Sequence, residues 1–300
     1  MLGSATERAL GTHFAHGGRS IEVIAVRVPD ASPAWRHVDD ADLRAVWLGA
    51  LLEAGDAAPV SVLGVGGVPD ATLAAWVATM VGLGVGPVVL EGPNGGVEKA
   101  EAWALRMGER LGASARGAVA VFGGLAVGGE RTSAVAAVTG LWSRLEATWG
   151  ALGLCVSISE GRLEPGYEPL EWAAPAWEPR RVIGFRSSGS RGVTVWGAAT
   201  LAGPDHGIHT LRVQRTLECA IRRGLTWLVF EPMPRDGWSA IEHAVGHLLD
   251  PWFAAGLIQA PRHQEQSIRV TGADGVIRID IAVALPTTIS DVVFDVVLEA

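Results

Sequence analysis

Three hundred residues, 49% of them apolar, supply enough material for one large or two ordinary domains with a buried core. A formal net charge of −8, with Lys99 the one lysine among 24 basic residues, gives no basic field for nucleic acid. Cys155 and Cys219 lie far apart without CxxC or zinc spacing, which reads as buried thiols in a reducing compartment, and no charged segment followed by an apolar core opens the chain, so no secretory signal is expected.

Met1 to His16 carries helical spacing at Leu2, Ala5, Ala9 and Leu10 and stops at Gly17-Gly18. From residue 21 to 158 short apolar runs alternate with helical patterns. Strands are expected at 21–28, 59–65, 85–90, 117–122 and 152–158, and helices at 39–53, 70–81, 96–112 and 132–149. That order implies βαβ units and an α/β domain whose sheet is mostly parallel and covered on both faces. Ala71 to Leu90 is uncharged and long enough to cross a bilayer. Gly82, Gly84, Gly86 and Pro87 interrupt it, so a buried helix followed by a buried strand is expected and no membrane insertion.

Gly161 to Pro179 holds Pro165, Pro169, Pro175 and Pro179 with Tyr167, Trp172 and Trp177 and has neither period. It reads as a linker. The expected organisation is an α/β domain at 1–160, a Pro/Trp-rich linker at 161–181 and a second, α+β domain at 182–300 with two helices and antiparallel strands. Within the latter, Val195 to Leu201 reads as a strand, and Val213-Gln214-Arg215 leads into a helix containing Ile221. Trp227 to Phe230 reads as a buried strand, and Pro232 to Gly237 as a rigid turn. A helix follows with its apolar stripe at Trp238, Ile241, Val245, Leu248, Leu249 and Trp252, capped by Asp236 or Ser239 and ended by Gly256. Ser267–Val270 and Gly275–Val283 alternate around Ala273-Asp274-Gly275 as a hairpin. Ile289 to Leu298 is a further apolar strand. An open edge there would invite aggregation, so it is expected to pair within its own sheet or by strand addition to a neighbouring subunit.

No constellation supports catalysis. Parallel sheets bind small molecules at the carboxyl ends of their strands, and the glycine-rich run Leu63 to Asp70 sits there. It lacks GxGxxG spacing and a Lys-Ser or Lys-Thr pair. Gly82 to Gly86 precedes its strand, the wrong side for a dinucleotide, and Gly123-Gly124 and Gly128-Gly129 read as tight turns. His243 and His247 stand at i and i+4, with Glu242 outside the pair instead of between as a zinc hydrolase requires. With His206 and His209 as further conceivable ligands, the pair still reads as polar positions flanking the core stripe. Gly184 to Ser190 lacks the GxSxG elbow, and Glu231 reads as a partner for an arginine or backbone amides. The chain is therefore expected to be no enzyme, with no catalytic residue, metal or cofactor. Arg212, Arg215, Arg222 and Arg223 surround one helix that holds a single acid, Glu218.

The order of a strand ending in Phe230-Glu231-Pro232, a turn, and a helix closing in Trp252-Phe253-Ala254-Ala255-Gly256-Leu257 resembles the C-terminal domain of contractile phage tail sheath proteins. Val195 to Leu201 is similar to that family's "vWGaRTl" strand, and Val213-Gln214-Arg215 with Ile221 to its "vnvRR...ie" helix. Gly275–Pro286 and Ile289–Leu298 resemble its two closing strands, and His13 to Gly18 its "FF.nGG" helix end. The resemblance spans about residues 182 to 298. The family's arginine before Thr-Leu is replaced by Ala198 or Ala199, and its extended N-terminal arm has no counterpart, so the subunit is expected either to receive strands and give only its C-terminal one or to hold a terminal or otherwise specialised place in the particle.

The resemblance implies a structural subunit of a contractile tail or contractile injection system, made in the cytoplasm and built into a phage-tail-like particle. Copies would self-assemble as helices or rings around an inner tube protein and rearrange on contraction, with baseplate or terminal cap proteins as further partners. Strand exchange would use Val292, Val293, Phe294, Val296, Val297 and Leu298. Arg212, Arg215, Arg222 and Arg223 would face an acidic tube surface. Two other readings stand beside it: an α/β nucleotide- or metabolite-binding enzyme using the sheet of residues 21–158, and a non-polymerising adaptor with a sheath fold.

Overall fold

The computed structural model describes residues 60–62, 69–84, 87–93, 96–127, 130–144, 157–158, 161–163, 181–187, 193–228, 237–259, 268–273 and 276–285. In chain order these form β1 (Val60–Val62), α1 (Asp70–Gly82), β2 (Val88–Glu91), α2 (Val97–Leu111), a 3-10 turn (Gly112–Gly117), β3 (Ala118–Val121), β4 (Leu125–Val127), β5 (Glu130–Thr132), α3 (Ala134–Arg144), β6 (Ser157–Ile158), β7 (Gly161–Leu163), β8 (Val182–Ser187) and β9 (Val193–Trp196). There follow β10 (Ala199–Thr200), β11 (Gly203–Gly207), α4 (Ile208–Gly224), a second 3-10 turn (Thr226–Leu228), α5 (Gly237–Ala254), β12 (Ile268–Ala273) and β13 (Val276–Ile281). Two compact units, Met1–Thr216 and Leu217–Ala300, make up the chain.

The first unit is built on a six-stranded sheet of order β1-β2-β3-β8-β9-β6. β1, β2, β3 and β8 run parallel, with Val88 opposite Ala118 and Ala120 opposite Val182; β9 and β6 close the sheet antiparallel. Val88, Val89, Leu90 and all four residues of β3 are buried. Their uninterrupted apolar run is what a central parallel strand covered on both faces requires. On one face Val88, Leu90, Ala118, Ala120 and Val182 meet Leu73, Val77 and Met80 of α1 and Ala100, Ala104 and Met107 of α2. On the other, Val89, Val119, Val121, Ile183, Phe185, Val193 and Val195 meet α3 and the start of α4 at Ile208 and Leu211.

Each helix follows from its sequence. α2 buries Ala100, Trp103, Ala104, Met107, Gly108 and Leu111, a stripe at steps of three and four, and turns Glu98, Lys99, Arg106, Glu109 and Arg110 outward. Trp103 Nε1 donates to Asp70 Oδ1 at 3.1 Å, tying α2 to the first turn of α1. Every residue of α3 from Ala134 to Trp142 is buried, as befits a helix apolar all round. Ser133 Oγ caps it by accepting from the Ala136 amide at 3.2 Å, and the Thr139 hydroxyl is satisfied by Val135 O at 2.9 Å.

The strands and helices expected between residues 59 and 122 are present within a few residues of their predicted ends, and the 132–149 helix is described over Ala134–Arg144. The strand 21–28 and the helix 39–53 lie outside the described residues. The fold is mixed α/β, as expected, with one difference in order. The strand beside β3 is β8, while Ser157–Ile158, the described part of the 152–158 strand, pairs antiparallel with β9. β4, β5 and β7 form a separate antiparallel sheet of order β5-β4-β7, so after β3 the chain leaves the main sheet, contributes β6 to its far edge, and fills the place beside β3 only at Val182. Of the 161–181 stretch only 161–163 and 181 are described; the sheet draws on residues from both sides of it, and the compact units divide after Thr216.

In the second unit, Gly224 at the end of α4 lets Leu248 of α5 approach closely, since a Cβ there would stand 2.6 Å from Leu248 Cδ1. α5 buries Ile241, Val245 and Leu249 and packs against β12. It ends as expected at Gly256, whose φ is +69°. Gly256 N–H donates to Phe253 O and Leu257 N–H to Trp252 O, both at 3.0 Å, the paired bonds of a Schellman cap. Two expectations fail here. Trp227 and Leu228, read as the start of a buried strand, lie in the 3-10 turn, with Trp227 51% exposed; Leu225 N–H and Leu228 N–H fold back on Ile221 O and Leu225 O, so α4 runs directly into the turn. Trp238, placed in the core stripe, is 38% exposed because it stands in the first turn of α5, beyond the buried Ile241.

Candidate assembly surfaces

The C-terminal hairpin is formed as the alternation predicted. Ile268 faces Ile281, Val270 faces Ile279 and Ala273 faces Val276; Asp274 and Gly275 lie outside the described residues. One face presents Ile268, Val270, Ile277, Ile279 and Ile281; Val270 is buried, and α5 covers β12. The other face exposes Arg269, Thr271, Arg278 and Asp280. Arg269 lies opposite Asp280, and Arg278 Nε donates to Asp280 Oδ1 at 3.1 Å. A two-stranded sheet is marginal by itself. Here α5 supports one face, and Gln259 and Ala284 exchange both backbone bonds, at 2.7 and 2.8 Å. Among the described residues no further strand pairs with either edge of the hairpin. Val292, Val293, Phe294, Val296, Val297 and Leu298 lie outside the described residues.

The four arginines do not share one environment. Arg212 Nη2 donates to Trp142 O of α3 at 2.9 Å. Burial pulls its pKa down to about 10, the signature of a guanidinium taken out of water. Arg212 therefore fastens α4 to α3 and is not part of an outward basic face. Arg215 is half-buried, while Arg222 and Arg223 are exposed. His209, one turn before Arg212, is held below its ordinary pKa by burial and then by the Arg212 charge. Cys219, expected to be buried, is half-buried on α4; Cys155 lies outside the described residues.

At the carboxyl ends of β2 and β3 the backbone ladder continues one residue past each strand. Gly92 N–H donates to Val121 O at 2.8 Å and Phe122 N–H to Ile183 O at 2.7 Å. Gly123, at φ +138°, lies where a Cβ would stand 2.7 Å from Phe185 Cδ2, so tightness explains this glycine. At the N-terminus of α1, where the 63–70 run would deliver a phosphate, Asp70 places a carboxylate in the first turn; residues 63–68 lie outside the described residues. His243 and His247 are exposed, as read, and His247 Nδ1 stands 3.3 Å from Asp250 Oδ2. Among the described residues no group of three or more His, Cys, Asp and Glu side chains could hold a metal, and no helix is long and apolar enough to cross a membrane.

Sequence reasoning missed Arg181. Its Nη1 donates to Leu201 O at 2.9 Å and its backbone N–H reaches Glu101 Oε2 at 3.4 Å. It pins the turn before β11 to the start of β8 and to α2. The Glu101 and Leu201 partners are distant in sequence, and no local pattern announces them.

No protein-family model and no curated protein sequence matches the chain. Its structure is similar to a chain of the anti-feeding prophage (AFP) baseplate, at a TM-score of 0.70 and 16% identity over 100% of this chain and 82% of that one. It is also similar to a chain of the sheath complex of PVC, an extracellular contractile injection system, in its contracted state, at a TM-score of 0.51 and 18% identity over 74% of this chain and 68% of that one. At these identities the likeness is one of fold, and the fold is that of proteins from contractile injection systems.

Proposed function

We propose that the chain is a structural, non-enzymatic subunit of a contractile injection system or contractile tail, assembling with copies of itself around an inner tube. The observation that carries this reading is the fold likeness over 100% of the chain to a component of a baseplate assembly. The C-terminal hairpin adds a physical means: a helix-backed pair of strands with backbone edges accepts a further strand by main-chain hydrogen bonds, while side chains of alternate parity set register. The donated strand is 289–298, using Val292, Val293, Phe294, Val296, Val297 and Leu298. Arg222 and Arg223, both exposed, are the arginines left for an acidic tube surface; Arg215 lies half-buried between them and Arg212.

The test is electron microscopy of the purified protein, alone and mixed with the inner tube protein of a contractile injection system. Helical tubes or closed rings are expected. Rings alone would place the subunit at an end of the particle, and continuous tubes in its body. Monomers in both samples would refute the proposal. Replacing Val293 and Val297 by Asp should abolish assembly and leave a folded monomer; normal assembly by that variant would overturn the strand-exchange part.

A further inference from the structure

One cluster of ligating side chains is untouched by the assembly reading. His243 and His247 lie one turn apart on α5, both exposed. Residues at i and i+4 of a helix have Cβ atoms about 5–6 Å apart, a spacing that lets two imidazoles converge on one ion. The backbone that carries them is held in place: Ile241, Val245 and Leu249, on the opposite side of the same turns, are buried at 1%, 0% and 1% exposure. Gly246, between the two histidines, has no side chain, and nothing stands within 4 Å of where a Cβ would be, so the outer face beside them is open.

The second imidazole has a carboxylate beside it. His247 Nδ1 stands 3.3 Å from Asp250 Oδ2, and both side chains are largely in solvent, at 82% and 70% exposure. A carboxylate at Nδ1 favours the tautomer with its proton there, which turns Nε2 outward as a lone-pair donor. Metal-binding histidines recurrently have this arrangement of carboxylate, imidazole and ion.

We propose that His243 and His247 form a two-ligand site for a borderline divalent transition-metal ion such as Zn²⁺, Ni²⁺ or Cu²⁺, with Asp250 positioning the His247 ring and water filling the remaining coordination positions. Imidazole nitrogens select these ions over Mg²⁺ and Ca²⁺, which take oxygen ligands. With two protein ligands the site is exchangeable, unlike the four-ligand sites that hold structural zinc.

The experiment is isothermal titration of the full chain at neutral pH with NiCl₂, and separately with MgCl₂. Saturable nickel binding at one dominant site and no magnesium binding are expected. His243→Ala and His247→Ala should each weaken nickel binding at least about tenfold. Asp250→Ala should weaken it about tenfold, the lower end of the roughly ten- to hundredfold loss that follows removal of a group orienting a metal-binding histidine. Long-range ¹H–¹⁵N spectra should show the Nδ1–H tautomer of His247 in the wild type and lose that preference in Asp250→Ala. All three positions are exposed, and an unchanged circular dichroism spectrum would establish that the variants fold. Equal binding by wild type and both histidine variants would assign the metal to other histidines and overturn the proposal, as would the absence of binding.

Discussion

Replacing Gly108 by alanine probes the tightest junction of the first unit. An added Cβ would overlap the Leu201 carbonyl oxygen and stand 3.2 Å from Arg181 Nη1. That oxygen accepts from Arg181 Nη1 at 2.9 Å, and the Leu201 N–H donates to Ala118 O at 2.9 Å. The turn cannot retreat without losing its bond to β3, at the centre of the sheet. Overpacking costs about 1–3 kcal/mol, and a lost charge-assisted hydrogen bond about 1.5–3 kcal/mol. Alanine's better helix propensity returns about 1 kcal/mol, so a net loss of about 1.5–5 kcal/mol is expected. Gly246→Ala is the matched control. It makes the same change inside a helix where a Cβ meets nothing within 4 Å, and it should stabilise by about 0.5–1 kcal/mol. Urea titration with hydrogen exchange at the amides of Ala118–Val121 for the first variant, and at those of α5 for the second, reads each change locally. If Gly108→Ala leaves stability unchanged, or Gly246→Ala is the more damaging of the two, the steric reasoning is wrong.

Within α5 the burial pattern orders two truncations: Ile241→Ala should cost about 2–5 kcal/mol, whereas Trp238→Ala, at 38% exposure, should cost about 1–2 kcal/mol, and thermal melts showing the reverse order would place the tryptophan in the core after all. His209 makes a pH prediction whose sign follows from its depressed pKa. The unfolded chain takes up a proton first as pH falls through the ordinary value of 6.5, so stability is full above that pH and declines below it until the folded imidazole protonates too. Between pH 7 and 5.5 the wild-type melting temperature should therefore fall more steeply than that of His209→Asn, and parallel curves would refute the assignment.

Much of the first unit could be read from the chain because its signals are local and agree with one another. β2 and β3 are apolar runs bounded by breakers, α2 repeats its apolar residues at the helical period, and Gly256 ends α5 through a conformation that glycine adopts without strain. The order of strands in the sheet is another matter. The 152–158 run reads as a strand, but Val182–Ser187 does not announce itself, because Gly184 to Ser190 reads as a loop before the Val195 strand; that this segment lies beside β3 depends on a return across about sixty residues, and nothing local records that return. Trp227 shows the same limit at shorter range. Its β-favouring neighbours read as a strand, yet the α4 end is completed by i to i+4 and i to i+3 backbone bonds that take those residues into a turn.

The charged residues show why surfaces are harder still. Arg212 and Arg223 are eleven positions apart on α4, which at 3.6 residues per turn brings them within about 20° on the helix, and both look like members of one basic stripe. One is desolvated against α3 and the other is in water. The difference lies in what stands opposite each, a property of the packed elements and not of the stripe. A partner surface raises the same problem once more, because the complement lies on another chain. For that reason the exposed pair Arg222 and Arg223 can be tested for tube binding by charge reversal at low salt, where surface attraction is least screened. Arg212 cannot: its replacement would loosen α4 from α3 and reduce assembly whether or not the tube ever meets that side chain. A loss of binding is most informative where the replaced charge is exposed and the variant keeps its fold.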